Sequence, residues 1–310
     1  MPFLQVTRLL DERERLSKSR VRVAAKQFTR FFARLGERRA DRAFRRAVAA
    51  RVKAGGPMVD LFNVPAFGEQ FEIDVRSDLA RRVAATGTFE PHLAQIVRTC
   101  VRPGDCAVDI GANIGFYTVL CATLAGKTGS VLAIEPMAVV AERALANVKR
   151  HGLGNVTVET CAAGDKAGSL EIEHIEGKEE FAALGAMQHA AVRKTQDRKR
   201  SIVRVERLDD ILARHSLRPR FIKIDTEGSE LGVLTGATLT LSIARPLLLV
   251  ETSDDLLAPQ GRRVGEVIGL LEGHGYRCRD AVTGQHLPAS RTERFHGDIV
   301  AIPPKSDRPQ

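Results

Sequence analysis

The hydrophobic positions of this chain change their spacing along its length. Over residues 6–53 apolar side chains recur every three or four positions, with no proline and one glycine, and this pattern predicts helix. The sequence AGGP at 54–57 ends that pattern. Beyond residue 105, short apolar runs alternate with longer amphipathic stretches, which is typical of a mostly parallel sheet with helices on both faces.

This alternation predicts five strands and four helices. The strands are 106–110, 130–135, 155–161, 220–225 and 246–251, and the helices are 114–126, 138–151, 228–242 and 261–274. Ahead of them lie two short alternating runs, MVDLFNV and QFEIDV, and a helix with Pro91 in its first turn; an insertion at 168–206 holds two more strand-like runs, SLEIEHI and SIVRVERL. The last two runs, GYRCRDAV and GDIVAIP, predict a hairpin that leaves an antiparallel strand at one edge of the sheet.

Charge divides the chain where the hydrophobic pattern does. The formal net charge is +9, but residues 1–55 hold 16 Lys and Arg against 5 Asp and Glu, so the remainder carries −2. We therefore predict a basic helical extension, residues 1–55, and one α/β domain, residues 56–310.

Composition narrows the class of protein. Hydrophobic residues make up 44% and charged residues 27% of the chain, as in globular proteins. No apolar run reaches the roughly 18 residues that a spanning helix needs, and charge appears too early for a secretory signal, so we expect a cytoplasmic protein. The five cysteines form no CxxC pair and have no histidine cluster beside them, so we expect reduced, buried thiols and no metal site.

The stretch VDIGANIG places Asp109, Gly111, Asn113 and Gly115 at a predicted strand-to-helix corner. Glycines there allow a close approach of ligand to backbone, and the helix start offers free N–H groups. A dinucleotide fingerprint would have glycine in place of Asn113. Because the carboxylate of Asp109 suits a ligand that carries an ammonium group, these four residues are predicted to bind S-adenosylmethionine.

Two further strand ends support this cofactor. Glu135 ends the second strand, 24 residues after Gly111, where a carboxylate can accept hydrogen bonds from both ribose hydroxyls. The third strand ends in TCAAGD, whose Ala162 and Asp165 are predicted to flank the adenine.

The fourth strand, in RFIKIDTEGSE, carries the predicted catalytic residues Lys223, Asp225 and Glu227. Lys223 and Asp225 share one face of the strand, and a buried lysine needs a carboxylate partner. Methyl transfer to an alcohol requires that the nucleophile be aligned and its proton removed, which a carboxylate at this strand end can do.

Two alternatives stay open for these carboxylates. Asp225 or Thr226 could cap the following helix while Glu227 complements its dipole. Asp225 and Glu251 could instead hold a divalent cation that acidifies the substrate hydroxyl.

Residues 70–303 resemble FkbM-type S-adenosylmethionine-dependent methyltransferases, because six motifs occur here in the order found in that family. They are TGTFEP, VDIGANIGFYTVL, GSVLAIEP, VERLDDIL, FIKIDTEGSELGVLTGA and RPLLLVE. The resemblance implies a class I methyltransferase (Rossmann-like) sheet of seven strands, mostly parallel with an antiparallel last strand. It also implies O-methylation of a small molecule, sugar or glycan. Glu90 in TGTFEP matches a family motif, which implies a place in the cofactor or acceptor pocket; alternatively it only starts the helix at Pro91.

The basic extension lies outside the resemblance and admits three interpretations. Its apolar stripe could pack on the body or on a second subunit, or its arginines could bind anionic lipid or nucleic acid. The basic run RKTQDRKR also leaves open a nucleic-acid methyltransferase, although the chain lacks an N/DPPY-type sequence. A third class is a non-catalytic protein that keeps the cofactor fold.

Overall fold

The computed structural model describes residues 2–17, 39–177, 183–184 and 198–304. The predicted N-terminal helix is found in two parts, α1 (Pro2–Ser17) and α2 (39–53), and the stretch between them lies outside the described residues. An antiparallel pair follows, β1 (Val59–Asn63) and β2 (Gln70–Asp74), and then helices α3 (Asp78–Thr86) and α4 (Pro91–Cys100). Proline at the first position of α4 suits a helix start, because its missing N–H has no intrahelical acceptor there.

The predicted alternation of strands and helices is confirmed. Its elements are β3 (Cys106–Ile110), α5 (Phe116–Ala125), β4 (Ser130–Ile134), α6 (Ala138–Arg150), β5 (Val156–Glu159), β6 (Ala162–Gly164), β7 (Gly168–His174), β8 (Ala183–Leu184), β9 (Lys199–Arg207), α7 (Leu208–Arg214), β10 (Phe221–Ile224), α8 (Glu230–Thr235), β11 (Leu247–Ser253), α9 (Asp254–Leu257), α10 (Val264–Gly273), β12 (Arg277–Asp280) and β13 (His296–Ile302).

The helix predicted over 228–242 is shorter than its pattern suggested. Helix α8 ends before Gly236, and a separate π-helical turn spans Thr240–Ala244. A Cβ on Gly236 would lie 1.9 Å from the carbonyl oxygen of Gly164, so only glycine allows this contact between α8 and β6.

Seven strands form the central sheet, in the order β12-β13-β11-β10-β3-β4-β5. The five strands β11 to β5 run parallel, and β13 is antiparallel to both of its neighbours, β11 and β12. The predicted seven-stranded, mostly parallel sheet with an antiparallel last strand is confirmed: β13 borders the five parallel strands, and β12 lies outside it at the edge. Residues Ile299, Val300 and Ala301 of β13 are fully buried, which suits a strand paired on both sides.

Helices cover both faces of this sheet. Residues from α4, α5 and α6 build the hydrophobic core on one face, and residues from α7, α8 and α10 build the core on the other. This three-layer arrangement brings the carboxyl ends of β3, β4 and β10 to one rim, where the polar residues singled out in the sequence are found.

The insertion forms a second, four-stranded sheet in the order β6-β9-β7-β8. Its two predicted strands are confirmed as β7 and β9, which pair antiparallel. The described part of the basic run is neutralised there: Arg198 pairs with Glu173, Lys199 with Glu176, and Arg200 with Glu171.

Helix α1 packs on the α/β body. Its Val6 and Leu10 are fully buried in the core that contains α4. Arg279 of β12 donates to Asp11 and Glu14 at 2.5 and 2.9 Å. The apolar side of α1 therefore faces the body, whereas the apolar stripe predicted over residues 21–35 lies outside the described residues. Within the described ranges, no helix combines the length and the apolarity that crossing a bilayer would demand.

Candidate active site

A cavity of about 490 Å³ opens at the carboxyl ends of β3, β4 and β10. Eight of the predicted site residues line it: Glu90, Gly111, Asn113, Glu135, Ala162, Asp165, Asp225 and Glu227. Three do not, namely Asp109, Gly115 and Lys223. The structure thus brings together residues from both predicted groups, cofactor-binding and catalytic, around one space.

The corner between β3 and α5 has the left-handed backbone that its glycines predicted. Gly111, Asn113 and Gly115 have φ values of 76°, 49° and 91°. The side-chain oxygen of Asn113 accepts a hydrogen bond from the backbone N–H of Ile114 at 2.8 Å, a local bond that helps an asparagine to adopt this conformation. The N–H groups of Gly111 and Ala112 donate to the carbonyl of Ile134, which fixes the corner to the end of β4.

Glu135 lies at the cavity wall and fastens the same corner. One carboxylate oxygen accepts from the backbone N–H of Asn113 at 2.9 Å and the other from that of Met137 at 3.0 Å. Burial raises the pKa of Glu135 to about 7, although both backbone bonds favour the ionised form. A carboxylate oxygen has a second lone pair, so Glu135 can still accept hydrogen bonds from ligand hydroxyls.

Asp109 and Gly115 do not line the cavity, so neither is placed for direct contact with a cofactor bound there. Asp109 is buried behind the corner, where it accepts from the Thr118 hydroxyl at 2.6 Å. Its second oxygen has no hydrogen-bond partner in the described structure, and burial raises the pKa of this carboxyl. A Cβ on Gly115 would make an ordinary van der Waals contact with Ala144 of α6 at 3.5 Å, so the left-handed φ of 91°, and not a lack of space, favours glycine at this position.

The other end of the cavity is mostly apolar. Leu170, Ile172 and Val205 of the second sheet form one wall, next to Ala162 and Asp165. Apolar side chains beside one acidic group suit a flat heteroaromatic ring with an amino group, which is the chemistry of adenine.

Lys223 lies beneath the rim with the partner that its burial required. Its ammonium group donates to Asp225 at 2.8 Å and lies 4.6 Å from the centre of the Tyr117 ring. Burial lowers the pKa of Lys223, but the nearby carboxylates, Asp225 first, outweigh burial and raise it above its usual value. Lys223 is therefore a fixed positive charge under the cavity.

Glu230, which the sequence analysis passed over, holds the turn between β10 and α8. Its buried carboxylate accepts from the backbone N–H groups of Thr226 and Gly228 and from the Thr226 hydroxyl. The carboxylate of Asp225 instead accepts from Lys223, and Glu227 has a left-handed φ of 50° at the cavity wall. The N-cap residue of α8 is Ser229, not Asp225 or Thr226, and it makes no side-chain capping bond; Glu230 instead fixes the turn that precedes the helix.

Two more acidic residues continue the rim beyond Asp225. Glu251 of β11 lines the cavity and stands opposite Asp298 of β13 in the antiparallel register. We call Asp225, Glu251 and Asp298 the carboxylate row. The negative charge of Asp225, together with burial, raises the pKa of Glu251; burial, followed by the charge of Glu90, raises that of Asp298.

Glu90, at the start of α4, is a further acidic residue near the carboxylate row. Its backbone starts α4 with a φ of 32°, and its carboxylate accepts from the Tyr117 hydroxyl at 2.9 Å and lines the cavity. Glu90 therefore both starts α4 and lines the cavity. Burial raises its pKa, because the opposing charge of Lys223 only partly offsets desolvation.

Tyr117 and Asp298 also belong to this group of side chains, although no sequence pattern singled them out. Tyr117 stands in an apolar helix start, GFYTVL, and Asp298 in the strand GDIVAIP. Asp298 could be identified only from its pairing with Glu251. That pairing requires the register of β11 on β13, which no local pattern gives. Over the described ranges, no group of three or more His, Cys, Asp or Glu side chains is arranged to hold a metal ion.

Comparison with known proteins assigns the domain. The model of the methyltransferase FkbM domain matches residues 109–278, more than half of the chain. The 31-O-demethyl-FK506 methyltransferase FkbM of Streptomyces tacrolimicus is 30% identical over 204 residues, which cover 57% of this chain and 74% of that protein.

Solved structures resemble the chain less closely. The FkbM methyltransferase of Methylobacillus flagellatus KT is 20% identical, with a TM-score of 0.40 over 71% of this chain and 52% of that one. Aeropyrum pernix fibrillarin, solved with bound S-adenosyl-L-methionine, is 14% identical, with a TM-score of 0.39 over 79% of this chain and 82% of that one. At these scores the strand order of the sheet is the stronger evidence of fold.

Proposed function

We propose that this chain, which belongs to the FkbM family of S-adenosylmethionine-dependent methyltransferases, transfers the methyl group to a hydroxyl of a small molecule, sugar or glycan. The observation that carries the proposal is the position of Asp225, a carboxylate held by a buried lysine at the cavity rim. The relative named for 31-O-demethyl-FK506 supports an oxygen acceptor.

The residues around the cavity fit S-adenosylmethionine. The turn at Gly111 and Asn113 lets a ligand approach the backbone, Glu135 offers acceptors for ribose hydroxyls, and the apolar wall beside Ala162 and Asp165 suits the adenine. The cofactor supplies an electrophilic methyl group on a positively charged sulfur. Asp109, which suggested an ammonium partner, is too deep for direct contact, so Glu90 at the cavity wall takes that role in our proposal.

Asp225 positions the acceptor and removes its proton. Its Oδ2 is fixed by Lys223, while its side chain stays about one quarter exposed toward the cavity (28%). A carboxylate held in this way can accept a hydrogen bond from a hydroxyl and withdraw its proton as the oxygen attacks. Glu227, next to it on the wall, is proposed to contact the acceptor as well.

A methyl-labelled cofactor tests the proposal. The full chain is incubated with ¹³C-methyl S-adenosylmethionine and fractionated cell extract, and the labelled product is isolated by mass spectrometry. We expect a methyl carbon with the NMR shift of an ether, whereas a shift typical of N-methyl or S-methyl would contradict O-methylation. Labelling of nucleic acid would favour the nucleic-acid alternative, which the ion-paired state of Arg198, Lys199 and Arg200 does not support.

We also propose that the basic N-terminal extension makes a peripheral contact with anionic lipid. Helix α2 carries exposed arginines at 39, 42, 45 and 46, while its Phe44 packs on Phe62 of β1. Replacement of Arg39, Arg42 and Arg46 by glutamate tests it by sedimentation with phosphatidylglycerol vesicles at low salt. Loss of binding is expected, and binding equal to that of the wild type would contradict the lipid contact.

A further inference from the structure

The carboxylate row holds more negative charge than the protein around it neutralises. Asp225 directly follows Ile224, which pairs with Val250, so Asp225 and Glu251 occupy neighbouring positions on adjacent parallel strands; Glu251 and Asp298 are opposite each other on the next pair. Neighbouring strands are about 4.8 Å apart, so the three carboxylates follow one another across the sheet.

The groups that face the row come from every element packed around it. Lys223 of β10 contributes the one buried positive charge among the residues described. Negative or potentially negative groups come from the other elements: Glu90 before α4, Asp109 of β3, Tyr117 of α5 and Asp280 of β12. Three more basic or titratable groups lie nearer to solvent: Arg82 of α3 is 3.8 Å from Glu90, and Arg262 and His296 line the cavity. Several largely buried carboxylates that lie close together around one buried lysine disfavour one another's ionisation, so they do not all ionise at the same pH.

A second observation indicates where a proton is held. Asp298 has a buried oxygen, Oδ1, without a hydrogen-bond partner in the described structure. An ionised carboxylate oxygen in that state is costly, whereas a carboxyl group that shares a proton with its neighbour is not. Consistent with this, the pKa values of Glu251 and Asp298 are both raised, for the causes given above.

We propose that the carboxylate row conserves the charge of the site: it is ionised while the positively charged cofactor is bound, and it takes up the acceptor's proton when that positive charge disappears. This inference rests on the proposed function. In the transfer, the acceptor oxygen forms a bond to the methyl carbon, the carbon–sulfur electron pair stays on sulfur, and the hydroxyl proton passes through Asp225 to Glu251 and Asp298. One positive charge is lost at sulfur and one proton is gained by the row, so the buried charge is the same before and after.

The test needs no acceptor, because the cofactor and its demethylated product, S-adenosylhomocysteine, differ by this one charge. Isothermal titration of each ligand into the full chain, between pH 6 and 9 in buffers of different ionisation enthalpy, counts the protons exchanged on binding. We expect S-adenosylmethionine to release up to one proton more than S-adenosylhomocysteine. The affinity of the protein for S-adenosylmethionine, divided by its affinity for S-adenosylhomocysteine, should then rise up to tenfold per pH unit.

Variants locate the titrating groups. Glu251→Gln and Asp298→Asn, each checked by thermal unfolding, should reduce the difference in protons between the two ligands. Asp255→Asn is the control, because Asp255 is exposed and pairs with Arg294 just beyond β11. The amino groups of the ligands titrate alike in all these proteins, so they cancel when a variant is compared with the wild type.

The outcomes separate the two proposals. Equal proton exchange by the two ligands in the wild type would overturn the charge-conserving role and leave the methyltransferase proposal standing. A difference that persists in both variants would also overturn it. If neither ligand binds at any pH, the proposed function itself fails and the inference fails with it.

Discussion

Gly111 and Asp225 touch through their backbones across the cavity floor. A Cβ built on Gly111 would lie 1.7 Å from the carbonyl oxygen of Asp225 and 2.8 Å from its carbonyl carbon. The turn after β3, which we propose to bind the cofactor, and Asp225, the proposed catalytic carboxylate, are thus packed directly together. Because a side chain at position 111 would have to move the Asp225 backbone, both proposed parts of the site depend on one glycine.

The first prediction follows from that contact. Gly111→Ala should destabilise the protein by more than the roughly 1–3 kcal/mol that a left-handed backbone costs an alanine, because the Asp225 carbonyl must also shift. It should also abolish detectable binding of S-adenosylhomocysteine. Gly152→Ala is the matched control: Gly152 has a similar φ of 65° but nothing within 4 Å of its Cβ position. Thermal unfolding and titration calorimetry measure both effects, and equal losses in the two variants would show that the contact is unimportant.

Glu135 should contribute to cofactor affinity. Glu135→Ala removes the acceptor expected for the ribose and the two bonds to the Asn113 and Met137 N–H groups. We expect weaker binding of S-adenosylmethionine by roughly 1–3 kcal/mol. Titration calorimetry checks this, with Glu142→Ala on the outer side of α6 as the control. Unchanged affinity would remove Glu135 from the cofactor site.

The pKa of Glu135 also predicts a pH dependence of stability. A carboxyl whose folded-state pKa is raised stabilises the fold below its unfolded pKa, near 4.5, and loses that contribution as pH rises through about 7. The full difference is on the order of 3 kcal/mol, at about 1.4 kcal/mol per unit. Glu135→Gln should therefore show a flatter decline of the melting temperature between pH 5 and 8 than the wild type, in the absence of cofactor. Parallel curves would contradict the raised pKa.

Asp225→Asn tests the catalytic assignment. The variant should fold and keep most of its cofactor affinity, while turnover of the labelled product falls by roughly 10² or more, the typical effect of losing a positioned acid or base. A chelator added to the wild type tests the alternative of a cation between Asp225 and Glu251. Near wild-type turnover of the variant, without an effect of the chelator, would exclude Asp225 from the chemistry.

Helix α1 should be part of the stable fold. Leu10 is fully buried and Leu4, on the same helix, is 58% exposed, so the pair separates packing from helix propensity. Leu10→Ala should cost about 2–5 kcal/mol of unfolding free energy, and Leu4→Ala less than about 0.5 kcal/mol. Cofactor affinity of the folded Leu10→Ala protein should stay unchanged, since α1 does not line the cavity. Denaturant unfolding measures the first effect and calorimetry the second.

The sequence by itself determined the alternation of strands and helices, the turn at Gly111 and the acids at the strand ends. These depend on local rules: the period of apolar residues, the backbone freedom of glycine, and the common rim on which parallel strands end. The sequence also predicted a carboxylate partner for Lys223, because a charge in a buried strand must be compensated.

Only the tertiary structure decided which of these residues meet. Asp109 and Gly115 share a motif with Gly111, yet Asp109 lies within β3 and accepts from Thr118, and Gly115 starts α5 beside Ala144, because the chain changes from strand to helix within the motif. Asp298 reaches the site because β13 inserts between β11 and β12 and lies opposite Glu251. That pairing joins positions far apart in the chain, and its register depends on the packing of the whole sheet.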